Sequence, residues 1–120
     1  MTAQTLQNKV AVIGAGAKNL GGLISRKMAE GGAKVVVHYH SDGSKADAEA
    51  TVQAIKNAGG EALAVQGDLS KPDQVTALFD QAISHFGGVD IAVNTVGKVL
   101  RKPILETSYD EWRRVLDVNL

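Results

Sequence analysis

The residues best suited to chemistry lie at 14–22, Gly-Ala-Gly-Ala-Lys-Asn-Leu-Gly-Gly, directly after the apolar run Val10-Ala11-Val12-Ile13. A turn leading from a strand into a helix gathers free backbone N–H groups at the positive end of the helix dipole. Glycines there let an anionic ligand approach the backbone. This is phosphate-binding chemistry. The usual dinucleotide spacing puts a third glycine three residues after Gly16, where this chain has Asn19. The stretch therefore fits a phosphate turn, and it also fits a turn that serves only close packing. Two more small, polar segments follow apolar runs: Gly67-Asp68-Leu69-Ser70 and Asn94-Thr95-Val96-Gly97. Ligands of open parallel sheets bind at the carboxyl ends of strands, so three such segments on one edge make a candidate site.

The elements that must position these segments alternate in period. Strands are expected at Lys9–Ile13, Lys34–Tyr39, Glu61–Gln66 and Asp90–Asn94. Between them lie stripes of helical spacing. The clearest is Val75, Leu78, Phe79, Ala82, Ile83 and Phe86, introduced by Ser70 as a cap, Pro72 in the first turn and Asp73, and closed by Gly87-Gly88. Leu20, Leu23, Ile24 and Met28 make a second stripe that stops at Gly31-Gly32. Ala48, Val52 and Ile55 make a third that stops at Gly59-Gly60. A last helix should start near Thr107 or Ser108, where Ser108-Tyr109-Asp110-Glu111 has capping-box spacing, with a stripe of Trp112, Val115, Leu116 and Leu120. The sum is β-α-β-α-β-α-β-α, an α/β chain whose parallel sheet is covered on both faces. The sequence stops inside the last stripe, as the front part of a longer protein would.

Composition bounds the function classes. The chain has 120 residues, enough for one modest core, and thirteen basic residues balance thirteen acidic ones. No overall field favours nucleic acid or an anionic membrane. There is no cysteine, hence no disulfide framework or thiolate metal site. With no apolar run near the roughly 20 residues of a membrane span, a cytoplasmic protein is expected.

The Gly14…Gly21 loop, Asp68-Leu69, the Phe86–Gly97 run and the Glu111–Leu120 run together resemble the N-terminal half of a short-chain dehydrogenase/reductase. The likeness covers nearly the whole chain. It implies a Rossmann-type, doubly wound parallel sheet, truncated, with residues 1–120 as the N-terminal portion of a dinucleotide-binding domain. It also implies an NAD(P)-dependent oxidoreductase that moves hydride between the cofactor and a small-molecule carbonyl or secondary alcohol. By the same resemblance the loop of Gly14, Gly16, Lys18, Asn19, Leu20 and Gly21 lies under the pyrophosphate, and Asp68 with Leu69 meets the adenine. Asn94, Thr95, Val96 and Gly97 support the central strand and the adenosine side, and Asn119 belongs to the catalytic tetrad. A homo-oligomer paired through the helix near Ser108 is implied for the longer protein. Three features depart from the family pattern: Ile13 stands in place of a threonine, one extra residue separates Gly14 from Gly21, and Thr95-Val96 stands in place of Asn-Ala.

A carboxylate at the end of the second strand would bond the ribose 2′-OH of NAD and repel the 2′-phosphate of NADP. The resemblance finds none in Val37-His38-Tyr39-His40-Ser41, while His40, Ser41 and Lys18 can donate to a phosphate. NADP is expected over NAD, with Asp42 as the contrary sign. His38-x-His40 is expected to split between opposite strand faces and has no third ligand, so no metal site is expected. Lys98, Arg101 and Lys102 read as a solvated loop or as a grip on an anionic substrate.

The family's proton donor is a tyrosine followed four residues later by a lysine, with a serine beside the substrate. Here Gly43 lies four after Tyr39 and Arg113 four after Tyr109. The chemistry of reduction is therefore expected outside these residues. A dinucleotide-binding module or sensor without catalysis is the alternative.

Overall fold

The structure, a computed structural model, describes residues 4–97 and 100–119. Ten elements follow in order. They are β1 (Val10–Gly14), α1 (Asn19–Glu30), β2 (Lys34–Tyr39), a 3-10 turn (Asp42–Ser44), α2 (Lys45–Asn57), β3 (Ala62–Gln66), α3 (Pro72–Phe86), β4 (Ile91–Asn94), a second 3-10 turn (Ile104–Glu106) and α4 (Tyr109–Asn119). The strands form one parallel sheet in the order β3-β2-β1-β4. The α/β architecture and all four strands are as the periodicity predicts, with bounds shifted by at most one residue.

Alternation along the strands divides the core. Ala11, Ile13, Val35 and Val37 face α1 and α2, where they meet Ala48, Val52 and Ile55. Val12 and Val36 face the opposite way onto Leu78 and Ala82 of α3. The β-branched residues of β1 and β2 are buried on both sheet faces, as a central parallel strand requires.

The helices correct three expectations. In α1 the buried residues are Gly21, Gly22 and Ser25, while Leu20 and Leu23 are exposed. Gly21 cannot carry a side chain, because a Cβ there would overlap the Ala15 carbonyl, so the helix packs by backbone approach at its first turn. Only Ile24 and Met28 of the expected stripe pack on the core. In α3, Ile83 turns outward, leaving Val75, Leu78, Phe79, Ala82 and Phe86 facing inward. Ser70 does not cap α3; its hydroxyl donates to Asp68 Oδ1 at 2.7 Å, and Pro72 opens the helix unaided. Gly87 closes it at φ 91°, a left-handed conformation that favours glycine.

The start of α4 is as expected. The Ser108 N–H donates to Glu111 Oε1 and the Glu111 N–H to Ser108 Oγ, both at 3.1 Å, a reciprocal capping box. Trp112, however, is more than half exposed.

The outward-facing Leu23 and the buried Leu78 give a direct test. Leu78→Ala empties a fully packed position and should lower stability by about 2–5 kcal/mol, whereas Leu23→Ala should change it by less than about 0.5 kcal/mol. Urea unfolding of the intact protein measures both. Equal losses would place Leu23 in the core and contradict this packing.

Candidate functional site

The turn between β1 and α1 is tied down by four side chains from four different elements. Ala15 adopts φ 55°, a left-handed conformation uncommon for alanine. Its N–H donates to Nδ1 of His38, the last but one residue of β2, at 2.9 Å. The Gly16 N–H donates to the His38 carbonyl at 2.9 Å. Ser25 of α1 lies 2.9 Å from both the Gly16 and Gly21 carbonyls. Thr51 of α2 donates to the Ala17 carbonyl at 2.6 Å, and Thr95, just after β4, to the Gly14 carbonyl at 2.7 Å.

The glycines of the turn serve this packing. A Cβ at Gly14 would lie 2.8 Å from Asn94 Oδ1, and one at Gly16 would lie 2.8 Å from both the Ile13 carbonyl oxygen and Ser25 Oγ. Neither residue lines the cleft described next. They let the turn fold tightly, and the cleft is lined by Ala15 between them and by the residues from Ala17 to Gly21 after them.

A cleft of about 460 Å³ opens at the carboxyl edge of the sheet. From the turn it is lined by Lys18, Asn19, Leu20 and Gly21, from the end of β2 by His38, Tyr39 and His40, from the β3–α3 loop by Asp68 and Leu69, and from the loop after β4 by Thr95, Val96 and Gly97. The three segments singled out in the sequence thus meet at one site. Ser41 is displaced from it; the 3-10 turn that begins at Asp42 brings Ser44 to the wall instead. Asn94 sits behind the wall, where its Oδ1 accepts from the Val96 N–H at 2.9 Å and shapes that loop. Asn119 lies in the last turn of α4, its amide donating to the Val115 carbonyl at 2.8 Å, and its Oδ1 faces Gly97. Its neighbour Val118 reaches the cleft. Lys98 lies outside the described residues.

His38 is the residue that sequence reasoning undervalued. It is 1% exposed, and its Nε2 lies 2.7 Å from the Gly67 carbonyl. Because the Ala15 N–H points at Nδ1, that nitrogen must carry the lone pair, and the proton sits on Nε2. Burial pushes the imidazole below its ordinary pKa, opposed by the bond to Gly67 and reinforced by nearby His40. The expected divergence of the two histidines fails. Residues two apart on a strand share a face, and both rings line the same cleft. Among the described residues no three His, Cys, Asp or Glu side chains are grouped to hold a metal ion.

Asp68 is held ionised by its hydrogen bonds from Ser70, and exposed His40 lies 3.9 Å from its carboxylate. Its N–H is bonded by Gln74 of α3, which fixes the loop. Lys18 reaches Asp47 of α2 at 3.7 Å, a half-exposed pair of little energetic weight. The first turn of α1 has no acidic residue and its N-cap, Lys18, makes no side-chain bond to it. The helix thus opens at the cleft wall without a carboxylate or hydroxyl cap.

A family model for short chain dehydrogenases matches residues 9–120. The chain belongs to the short-chain dehydrogenase family. It is 46% identical over 115 residues to a 3beta-hydroxysteroid dehydrogenase of Eggerthella lenta, covering 96% of this chain and 43% of that protein. It is 39% identical over 116 residues to a glucose 1-dehydrogenase of Bacillus subtilis, covering 96% and 44%. Among solved structures, a Burkholderia cenocepacia protein with bound NADP is 50% identical with a TM-score of 0.90, covering 99% of this chain and 45% of that one. A blue fluorescent protein from a metagenomic library, in complex with NADPH, is 36% identical with a TM-score of 0.88, covering 96% and 47%. The chain thus spans less than half the length of these relatives.

The buried imidazole couples folding to pH. The unfolded chain takes up a proton near pH 6.5 that the folded chain resists, so this contribution to stability is full above about pH 6.5 and is lost as pH falls. Urea midpoints of the wild type should drop between pH 7.5 and 5.5 by more than those of His38→Asn. Parallel pH profiles for the two proteins would show that His38 does not carry the effect.

Proposed function

We propose that this chain is the cofactor-binding half of an NADP-dependent oxidoreductase that transfers hydride between NADP(H) and a small-molecule carbonyl or secondary alcohol. The observation that carries it is the cleft itself, with the uncapped start of α1 at its base and no carboxylate from the end of β2 in its wall. The turn at Lys18, Asn19, Leu20 and Gly21 takes the pyrophosphate on its N–H groups. Asp68 and Leu69 meet the adenine, and Thr95, Val96 and Gly97 hold the adenosine side. Bound nicotinamide supplies the hydride.

The preference for the 2′-phosphate follows from charge. Lys18 and His40 are exposed donors at the edge of the cleft, and the Lys18–Asp47 pair is open enough to exchange for a phosphate. Asp42, the contrary sign in the sequence, lies outside the wall with its carboxylate 3.4 Å from Gln66 Nε2. The relatives solved with NADP and NADPH support the same assignment. Tyr39, at the position an NAD-binding acid would take, packs on the core and lines the cleft with an uncharged side chain. A homo-oligomer is proposed for the longer protein, with Asn119 in its catalytic group.

The proton for the developing alkoxide comes from elsewhere. Tyr109 stands exposed at the opening of α4, away from the cleft wall, and neither tyrosine has a lysine four residues on.

Fluorescence titration of the full-length protein should show NADPH binding more tightly than NADH. His40→Asp should reverse or erase that difference through repulsion of the 2′-phosphate. Equal affinities in the wild type would sink the NADP assignment. The isolated 120-residue chain should reduce no ketone at saturating NADPH, since a positioned general acid contributes about 10²–10⁴-fold and none is present. Turnover by this chain matching the full-length enzyme would mean that a group within it, such as Tyr109, does the work.

A further inference from the structure

The phosphate turn needs something to hold Ala15 in its left-handed conformation, and the sequence offers no glycine there. A residue at φ 55° with a side chain is disfavoured unless its surroundings fix it. On one side the Ala15 carbonyl is wedged against Gly21, where no Cβ could fit, with Thr95 Oγ1 at 3.3 Å. On the other side stands His38, whose Nδ1 lies 2.9 Å from the Ala15 N–H and whose backbone carbonyl accepts from the Gly16 N–H at 2.9 Å, so the side chain alone fixes Ala15 itself. The same ring reaches Gly67, the residue before Asp68, through Nε2. One imidazole therefore spans the gap between the turn under the pyrophosphate and the loop under the adenine.

We propose that His38 is a positioning residue of the cofactor site: neutral, with its proton on Nε2, it ties the Ala15 N–H to the Gly67 carbonyl and sets the spacing between the two cofactor-binding loops. The inference rests on the dinucleotide reading given above. It assigns to His38 no contact with the reacting atoms. The direction of each bond matters, because of the ring's two bonds only the one to Ala15 reaches the phosphate turn. A doubly protonated ring would present N–H to N–H at Ala15 and break that tie. The charged and titratable groups around the ring are His40 on its own chain segment, Asp68 beyond Gly67 and Lys18 at the far side of the turn, all at the cleft wall.

Two substitutions separate the bonds. In His38→Asn the amide oxygen takes the place of Nδ1 and can still accept from Ala15, while the Gly67 bond is lost. In His38→Gln the longer amide can reach Gly67, while nothing accepts from Ala15. Each keeps one bond, so urea midpoints should fall by similar amounts. NADPH affinity of the full-length protein, by fluorescence titration at pH 7.5, should stay within about threefold of wild type for Asn and drop about tenfold or more for Gln. A purely structural histidine would give affinities that follow stability, and equal affinities in the two variants would overturn the proposal. Nitrogen-15 spectra of the wild-type ring provide a second measurement that does not depend on either variant folding. A protonated Nε2 with unprotonated Nδ1 is expected, and the reverse tautomer would overturn the proposal. Wild-type protein that fails to bind NADPH would overturn the dinucleotide reading and this one with it; tight wild-type binding that Gln preserves overturns this one alone.

Discussion

A buried turn must satisfy its own backbone groups, and in this chain that requirement also creates the binding surface. In a planar trans peptide the C=O of one residue and the N–H of the next point in opposite directions. Ser25 holds the Gly16 carbonyl inward and Thr51 holds the Ala17 carbonyl inward. The N–H groups of Ala17 and Lys18 are thereby turned the other way, towards the start of α1. The carbonyls of the turn are bonded within the protein, as are the N–H groups of Ala15 and Gly16 through His38, which leaves those of Ala17 and Lys18 as the outward-turned donors. An anion is the natural partner of such a surface, since the helix dipole adds to the same sign of potential.

The sheet order explains why the anchors come from so many elements. β1 lies between β2 and β4, with α1 and α2 on one face and α3 on the other, so the chain changes direction beside β1. Each neighbour of β1 then delivers one anchor to the turn that leaves it: His38 from β2 and Thr95 from the end of β4. The crevice at this reversal is where doubly wound sheets bind ligands, and the cleft lies there. Fold and site are one problem. A shift of β4 against β1 would pull Thr95 from Gly14 and loosen the turn.

The parts of this arrangement that carry a hydropathy signal were legible in the sequence. The β-branched runs marked the strands, and Val75, Leu78 and Ala82 marked the buried face of α3. The face of α1 was not legible, because close backbone approach uses glycine and serine, which add nothing to an apolar stripe. Leu20 and Leu23 stood out by hydrophobicity while facing the cleft edge and solvent. The cap of α3 was misassigned because the helix opens one residue later than the cap requires: Lys71 is the N-cap, and Ser70, one position outside it, turns its hydroxyl to the Asp68 carboxylate two residues back. The three loop segments of the site were found because strand ends dictate their place. The anchoring roles of His38, Ser25 and Thr51 were not read because Ala15, Gly16 and Ala17, the turn residues they hold, lie 9 to 34 residues away in sequence, and no local pattern announces those bonds.

The two sides of the cleft are built to different standards. The walls from β1 and β2 rest on strands buried on both faces and on hydrogen bonds shielded from water, and the half-buried edge strand β3 is tied to them through Gly67. The wall from α4 rests on an exposed capping box and on Lys102, whose amine donates to the Glu111 carboxylate at 2.9 Å and holds its pKa down to about 2. Ile104, Leu105, Tyr109 and Trp112 around it all face outward, more than half exposed. Helices of this length draw most of their stability from packing rather than from caps. The side built from β1, β2 and the loop after β3 is therefore the preorganised part of the cleft. The side that α4 forms, with Val118 on the cleft and Asn119 beside Gly97, is held by caps and ion pairs at the surface and so is the more easily displaced of the two.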